Sequence, residues 1–172
     1  LAAVTIGGNL MGIIGMLIFI SGSINSGKTT TANALADRLG AISINVDDLN
    51  DSIPNFDLTT DLDISMDLAI EAINENLAQG HDVVANYVVR QKDFDRFEGE
   101  INSREQYVIT LSPRLEVAQS KRGDRELSEW EVSRIKHHYD RGIASPKFGH
   151  IIDNSDLTLD ETVDSILRII EN

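Results

Sequence analysis

The residues that can do chemistry gather first in one short segment, Gly22-Ser23-Ile24-Asn25-Ser26-Gly27-Lys28-Thr29. Two glycines with four residues between them, followed at once by a lysine and a threonine, suit a loop that wraps an oxyanion. Glycine permits backbone angles and a closeness of approach that a side chain would block. Successive backbone N–H groups can then face phosphate oxygens, and the N-terminus of a following helix adds partial positive charge. Lys28 supplies a point charge for the terminal phosphates, and the Thr29 hydroxyl is a hard oxygen ligand of the kind Mg²⁺ takes. Contacts to nucleotide phosphates are expected from every residue of the segment and from Thr30 behind it. The competing reading is a chance glycine-rich turn. Against it, the apolar run Leu17-Ile18-Phe19-Ile20 leads in and an amphipathic helix leads out.

Other candidate groups are scattered along the chain. Asp47 is expected at the carboxyl end of a strand beside the loop-bearing strand, the edge at which open α/β sheets bind ligands. There a carboxylate can take the proton of an acceptor hydroxyl, hold Mg²⁺, or do both. Its neighbour Asp48 reads as a cap for the short turn that follows, since successive side chains at a strand end point to opposite faces. Arg122, Arg125 and Arg134 can clamp a phosphoryl group in transfer, where charge peaks in the transition state. The bland alternative is surface pairing with Glu126, Glu129 and Glu131. Arg90 follows the third strand and is the candidate for an anionic group on an acceptor. Tyr87 fits core and pocket wall equally well. Asn86 is an amide in an apolar strand and must find partners; substrate or metal-bound water would serve. Adjacent positions such as His137-His138 face apart on a helix and no third ligand is evident, so an exposed surface is expected. Trp130 reads as a staple for its helix.

Period and punctuation place these residues. Ala32, Leu35, Ala36 and Leu39 share one helix face, which Gly40 ends. Residues 41–46 form a short second strand closing on Asp47-Asp48. An acidic stretch over 57–67, which reads as a solvated loop, leads to a helix with Met66, Ala69, Ile70, Ile73 and Leu77 inward. Residues 82–89, 107–111 and 150–153 read as further strands, the first nearly continuous in apolar residues and so fit for a covered sheet. Ser112-Pro113 predicts a helix start. Ser128 with Glu131, and Thr158 with Glu161, are capping boxes for two more helices, the last with Val163, Ile166, Leu167 and Ile170 inward. The alternation predicts a three-layer α/β domain with a mainly parallel five-stranded sheet.

A sequence of 172 residues suffices for one such domain. Its net charge of −13, from 15 basic and 28 acidic residues, opposes a nucleic-acid partner. Without cysteine there is neither a disulfide nor a thiolate metal site, which fits a reducing compartment. Residues 1–20 carry no charge, but four glycines and Asn9 interrupt them and no basic residue precedes them. Residues 1–15 are therefore expected to be an upstream or vector-derived extension, with Met16 a natural start. No membrane contact is expected.

Together these features resemble the P-loop small-molecule and nucleotide kinases: shikimate kinase, gluconate kinase, chloramphenicol phosphotransferase and the nucleoside monophosphate kinases. The likeness runs over about residues 16–171 and is strongest at the glycine-rich segment; the kinase domain is read as 16–172. In shikimate kinase an aspartate ending the second strand faces the acceptor hydroxyl, spaced from the loop lysine much as Asp47 is from Lys28. Lys121-Arg122-Gly123-Asp124-Arg125, followed by Glu131-Val132-Ser133-Arg134 and Tyr139, looks like an arginine-bearing lid, here about residues 121–130, and the helix after it. Ile151-Ile152-Asp153-Asn154-Ser155 is similar to an adenine-flanking turn. The resemblance implies ATP and Mg²⁺ as cofactors and phosphoryl transfer to a hydroxyl of a small molecule in the cytoplasm. It implies Lys28, Asp47, Arg125 and Arg134 as catalytic, Arg122 on the nucleotide, and Thr29 with Asp47 on the metal. The glycine-rich acceptor segment of shikimate kinase is replaced by Asn86-Tyr87-Val88-Val89-Arg90, which leaves the acceptor open. A nucleotide kinase and an ATP-binding regulatory module remain alternatives. No guanine-reading N-K-x-D string occurs, so adenine is the expected base.

Overall fold

The computed structural model describes residues 14–57, 60–122 and 126–171. Strand β1, Leu17–Gly22, is buried along its whole length. It is the middle of a sheet ordered β2-β3-β1-β4-β5, with β2 at Ile42–Asn45, β3 at Val83–Asn86, β4 at Gln106–Leu111 and β5 at His150–Ile152. Every neighbouring pair is parallel, so the sheet is parallel throughout. Parallel neighbours need long crossovers, and helices supply them: α1 Lys28–Leu39, α2 Leu62–Ala78, α3 Gln91–Glu100, α4 Leu115–Ala118, α5 Glu129–Asp140 and α6 Leu159–Ile170.

The alternation of a strand's side chains builds the three layers. Leu17 and Phe19 face Met66, Ala69, Ile73 and Leu77 of α2 and Phe97 of α3, with Phe19 and Phe97 stacked at 4.2 Å. Ile18 and Ile20 face the other way, onto Leu35 and Ala36 of α1 and Val163 and Ile166 of α6. Each of these side chains larger than alanine contributes about 1.5–3 kcal/mol by leaving water. Helices α5 and α6 open with the two capping boxes legible in the sequence, Ser128 with Glu131 and Thr158 with Glu161.

Five expectations are corrected by the fold. The strand expected over 41–46 ends at Asn45, and Val46–Ser52 is a 3-10 helix. The third strand stops at Asn86, and it lies between β2 and β1, so Asp47 does not follow a strand adjacent to the loop-bearing one. The reason is burial: all four residues of β3 are inaccessible and take the inner position, whereas β2 is half exposed and takes the edge. Ser112-Pro113 does not open a helix, because the Ser112 N–H is still bonded to Ile152 across the sheet; the single turn of α4 starts after Arg114. Helix α3 was not expected at all. The acidic stretch is partly helical: Asp63 and Asp67 lie in α2 and pair with Lys92 and Arg96 of α3.

At the amino end, Ile14 packs on the core and the Gly15 N–H donates to Leu77 at 3.0 Å. No helix among the described residues is long and apolar enough to cross a membrane.

Candidate active site

A parallel sheet delivers the loops after its strands to one edge, and the chemistry collects there. The segment after β1 turns sharply at Gly22 and enters α1 through Gly27, whose φ of 90° is left-handed. A Cβ on Gly22 would lie 2.6 Å from the Leu111 carbonyl oxygen, so only glycine fits between β1 and β4. Asn25 stands at the tip with φ 61°, a conformation asparagine tolerates. Its amide holds the tip down by donating to the Ala118 and Ser120 carbonyls at 2.8 and 2.9 Å. From the lid region, the Arg122 guanidinium donates to the Asn25 carbonyl at 3.2 Å. Lys28 folds back onto the loop, its ammonium 3.4 Å from the Ser23 carbonyl.

Thr29 donates its hydroxyl proton to Asn86 Oδ1 at 3.1 Å, across the β1–β3 pair. That leaves lone pairs on the Thr29 oxygen for a cation. Asn86 is fully buried and its Nδ2 has no partner among the described residues. A buried amide donor without an acceptor is costly, and a phosphate or substrate oxygen would relieve it.

Asp47 sits in the first turn of the 3-10 helix, where successive side chains diverge by about 120°. It lines a cavity of about 390 Å³ shared with Ile24 of the loop, Tyr87, Arg90, Arg134 and His138. Asp48 does not cap the turn; Asn45 occupies that position, and Asp48 instead accepts from the Asn45 amide at 2.7 Å. The two carboxylates thus meet different surroundings, Asp47 the cavity and Asp48 the Asn45 amide. Solvent reaches Asp47, yet the surrounding wall strips enough water to raise its carboxyl above the usual range, against the pull of Lys28 and with a push from Asp48.

Of the arginines, Arg134 lines this cavity and has no carboxylate partner among the described residues. Arg90 also lines it, but Asp93 grips its guanidinium at 2.8 Å. Arg122 lines a separate cavity on the other side of the loop, and Arg125 lies outside the described residues. Tyr87 is both core and wall: it is buried, lines the cavity, and burial pushes its phenol up to about 12. Trp130 is no staple. It is 60% exposed at the cavity mouth.

His138 is the residue that sequence reasoning missed. Expected on the surface, it is only 4% exposed, and its Nδ1 lies 3.1 Å from the Ser23 hydroxyl of the phosphate loop. Burial, with Arg134 and Lys28 close by, pushes its pKa down to about 4, so it is neutral at pH 7. The signal was present in spacing: Ile135 and His138 share a face, and Ile135 is wholly buried. His137 does face outward.

On the other side of the loop a cavity of about 290 Å³ is lined by Asn25, Gly27, Thr30, Arg122, Asn154 and Leu157. The buried Asn154 donates to the Ser26 carbonyl at 3.0 Å, and its Oδ1 lacks a partner among the described residues. The chemistry of the donors suits magnesium: Thr29 and Asp47 carry hard oxygens of the kind it takes, and among the described residues no cluster of three or more acids, histidines or cysteines forms an all-protein cage. A magnesium held mainly by phosphates and water needs only one or two protein ligands.

No family model and no curated protein matches the sequence. Solved structures do match the fold. A sugar kinase from Janibacter sp. HTCC2649 superposes with a TM-score of 0.69 at 14% identity, covering 91% of this chain and 95% of that one. A gluconokinase from Sinorhizobium meliloti 1021 gives 0.63 at 18% identity, covering 94% and 96%. The APS kinase of Mycobacterium tuberculosis, solved with AMPPNP and APS, gives 0.66 at 14% identity, covering 92% and 99%. The central parallel sheet, the glycine-rich loop after β1 and these likenesses agree: the chain has the fold of the P-loop kinases.

Proposed function

We propose that this protein is an ATP-dependent kinase that moves the γ-phosphoryl group to a hydroxyl of a small molecule. The observation that carries the reading is the shared cavity in which Asp47 stands within the field of Lys28 at the mouth of the phosphate loop. A loop that only sensed nucleotide would have no need of a carboxylate and an unpaired arginine facing a second compartment.

In this reading backbone N–H groups over 22–28 bind the phosphates, and Lys28 neutralises charge on the terminal two. Thr29 and Asp47 would hold Mg²⁺, which when bound neutralises charge on the β- and γ-phosphates. The acceptor hydroxyl oxygen forms the new bond to γ-phosphorus while the bond to the β,γ-bridging oxygen breaks, and Asp47 receives the hydroxyl proton. Arg134 and, assigned from the sequence alone, Arg125 stabilise the equatorial oxygens. Arg122 and residues 121–130 close over the nucleotide, while Asn86, Tyr87 and Arg90 face the acceptor. The kinase domain is taken as 16–172, with Ile14 and Gly15 joined to its core rather than part of an upstream extension, and the setting as cytoplasmic. Asn154 Oδ1 is an acceptor on the wall of the cavity that Arg122 lines, unpartnered among the described residues; it suits the 6-amino group of adenine and not the 6-oxo group of guanine, which supports ATP over GTP.

The test is a transfer screen with γ-labelled ATP and GTP over hydroxylated metabolites, nucleosides and aminocyclitol and phenicol antibiotics. Acceptor-stimulated turnover that favours ATP is expected. Tight nucleotide binding with no acceptor-stimulated turnover would point to the regulatory module, and label appearing only on nucleoside monophosphates would point to a nucleotide kinase.

A further inference from the structure

Helix α5 carries Trp130, Arg134 and His138 at intervals of four residues, so the three share one face. All three line the cavity of Asp47, from the exposed Trp130 at its mouth to the buried His138. At helical rise this stripe is about 12 Å long. The helix behind it is held along its length. Ile135 is wholly buried, the Gln119 amide beside α4 donates to the Val132 carbonyl at 3.2 Å, and the Tyr139 hydroxyl donates to the Pro113 carbonyl. Helices α4 and α5 are therefore joined.

The phosphate loop is fastened to that pair of helices on both sides of Ile24. Ser23, with no exposed surface, bonds His138 Nδ1 at 3.1 Å, and the Asn25 amide reaches the Ala118 and Ser120 carbonyls. The two fastenings differ in kind. Water reaches the bond from Asn25 to Ser120, so that bond can be exchanged for a solvent contact at little cost. The Ser23–His138 bond is buried, and breaking it strands two polar groups away from water. It is the stiff tie of the two. Phosphate binding by backbone N–H groups and Lys28 does not call for it, since the Ser23 hydroxyl is turned to the helix.

We infer that His138 is a positioning residue acting through Ser23: their bond makes the phosphate loop and the α5 stripe move as one body, so that filling the loop is felt at Trp130, at the far end of the stripe. By linkage, whatever seats against the stripe changes the affinity of the loop for its ligand by the same factor. The inference rests on the kinase reading only in taking nucleotide phosphates as the ligand of the loop.

Trp130 is the sole tryptophan of the chain, so its emission reports on this position alone. Calorimetry measures binding of AMPPNP with Mg²⁺, and acrylamide quenching of Trp130 is read without AMPPNP and at saturation. The parent protein should show a change in quenching on saturation. Ser23→Ala removes a single oxygen; it should lose that change at saturation and bind AMPPNP about fivefold more weakly, the worth of one net hydrogen bond. His138→Leu should lose it as well, and the double variant should behave as either single one, because each removes the same bond. His138→Asn keeps an amide where Nδ1 stands and should restore the change. No change in the parent on saturation, an unaltered change in Ser23→Ala, or a failure of asparagine to restore it overturns the inference. If AMPPNP does not bind, the ATP reading fails alone, and inorganic tripolyphosphate fills the loop for the same measurement. If neither binds, the inference falls with the loop.

Discussion

The two sides of the proposed kinase site are built by different means. The nucleotide side is one continuous segment, Gly22 to Thr30, in which each residue's role follows from its neighbours: glycine where the chain must turn, lysine and threonine where the helix begins. The acceptor side is assembled from residues far apart in the chain: Asp47 after β2, Tyr87 and Arg90 after β3, Arg134 and His138 on α5. Local chemistry can be read from a string of letters, whereas assembled chemistry depends on which strand stands beside which. The loop is also tied across that divide, because Ser23 bonds to His138 and Asn25 to the end of α4.

Four substitutions probe this contrast. The largest effect is expected on the nucleotide side. Lys28→Ala should abolish phosphoryl transfer, a loss of about 10³-fold or more, because charge on the transferring group then goes uncompensated. Circular dichroism and the unfolding temperature should match the parent protein. Unchanged turnover in a folded variant would remove the nucleotide side from the comparison.

On the acceptor side, Asp47→Asn should lower kcat by about 10²–10⁴, and Asp48→Asn should cost little turnover. The fold disfavours the ionised form of Asp47, since its pKa is raised mainly by burial. As pH rises through that raised pKa the folded state loses a proton it holds more tightly than the unfolded chain does, so stability falls. Asp47→Asn should therefore unfold at an equal or higher temperature than the parent at pH 7 without ligand, even as it disables the enzyme. A lower unfolding temperature would show that the carboxylate is structural. If Asp48→Asn proves the crippled enzyme instead, the assignment within the pair is reversed.

The smallest effect tests the tie between the two sides. His138 has a folded pKa of about 4, below its ordinary value of 6.5. The stability this contributes is complete above pH 6.5 and is lost as pH falls towards 4, because the unfolded chain takes up the proton first. His138→Gln keeps a partner for Ser23 but cannot titrate, so its unfolding temperature should fall less than the parent's between pH 6.5 and 4. Parallel curves would mean that His138 is protonated in the fold.

Legibility in the sequence divides along the same line. The glycine-rich segment, the two capping boxes and the inner face of α2 could be read because each is a local pattern with one physical meaning. Helix α3 could not be, because Gln91–Glu100 offers only Phe94 and Phe97 as apolar residues; its stability comes from Phe97 stacking on Phe19 and from ion pairs to α2. Strand order was equally hidden. Nothing local to residues 41–47 says that β3 will take the place beside β1, and with it the place of Asn86 beside Thr29. The burial of His138 follows from α5 lying across the loop, a tertiary fact that no neighbour in the chain announces.

The central position of β1 also bears on how the chain is made. Leu17–Gly22 leaves the ribosome well before both of its hydrogen-bonding neighbours, Val83–Asn86 and Gln106–Leu111, have been synthesised. At ordinary elongation rates that interval is on the order of ten seconds. Throughout it an apolar strand with two open edges has no native partner, which is the condition in which nascent chains misassociate and in which holdase chaperones engage them. The phosphate loop cannot be preformed during that wait, because the turn at Gly22 is closed by Leu111. Nucleotide can therefore act as a folding ligand only after β4 has emerged, and a nascent chain stalled before that point should gain nothing from ATP.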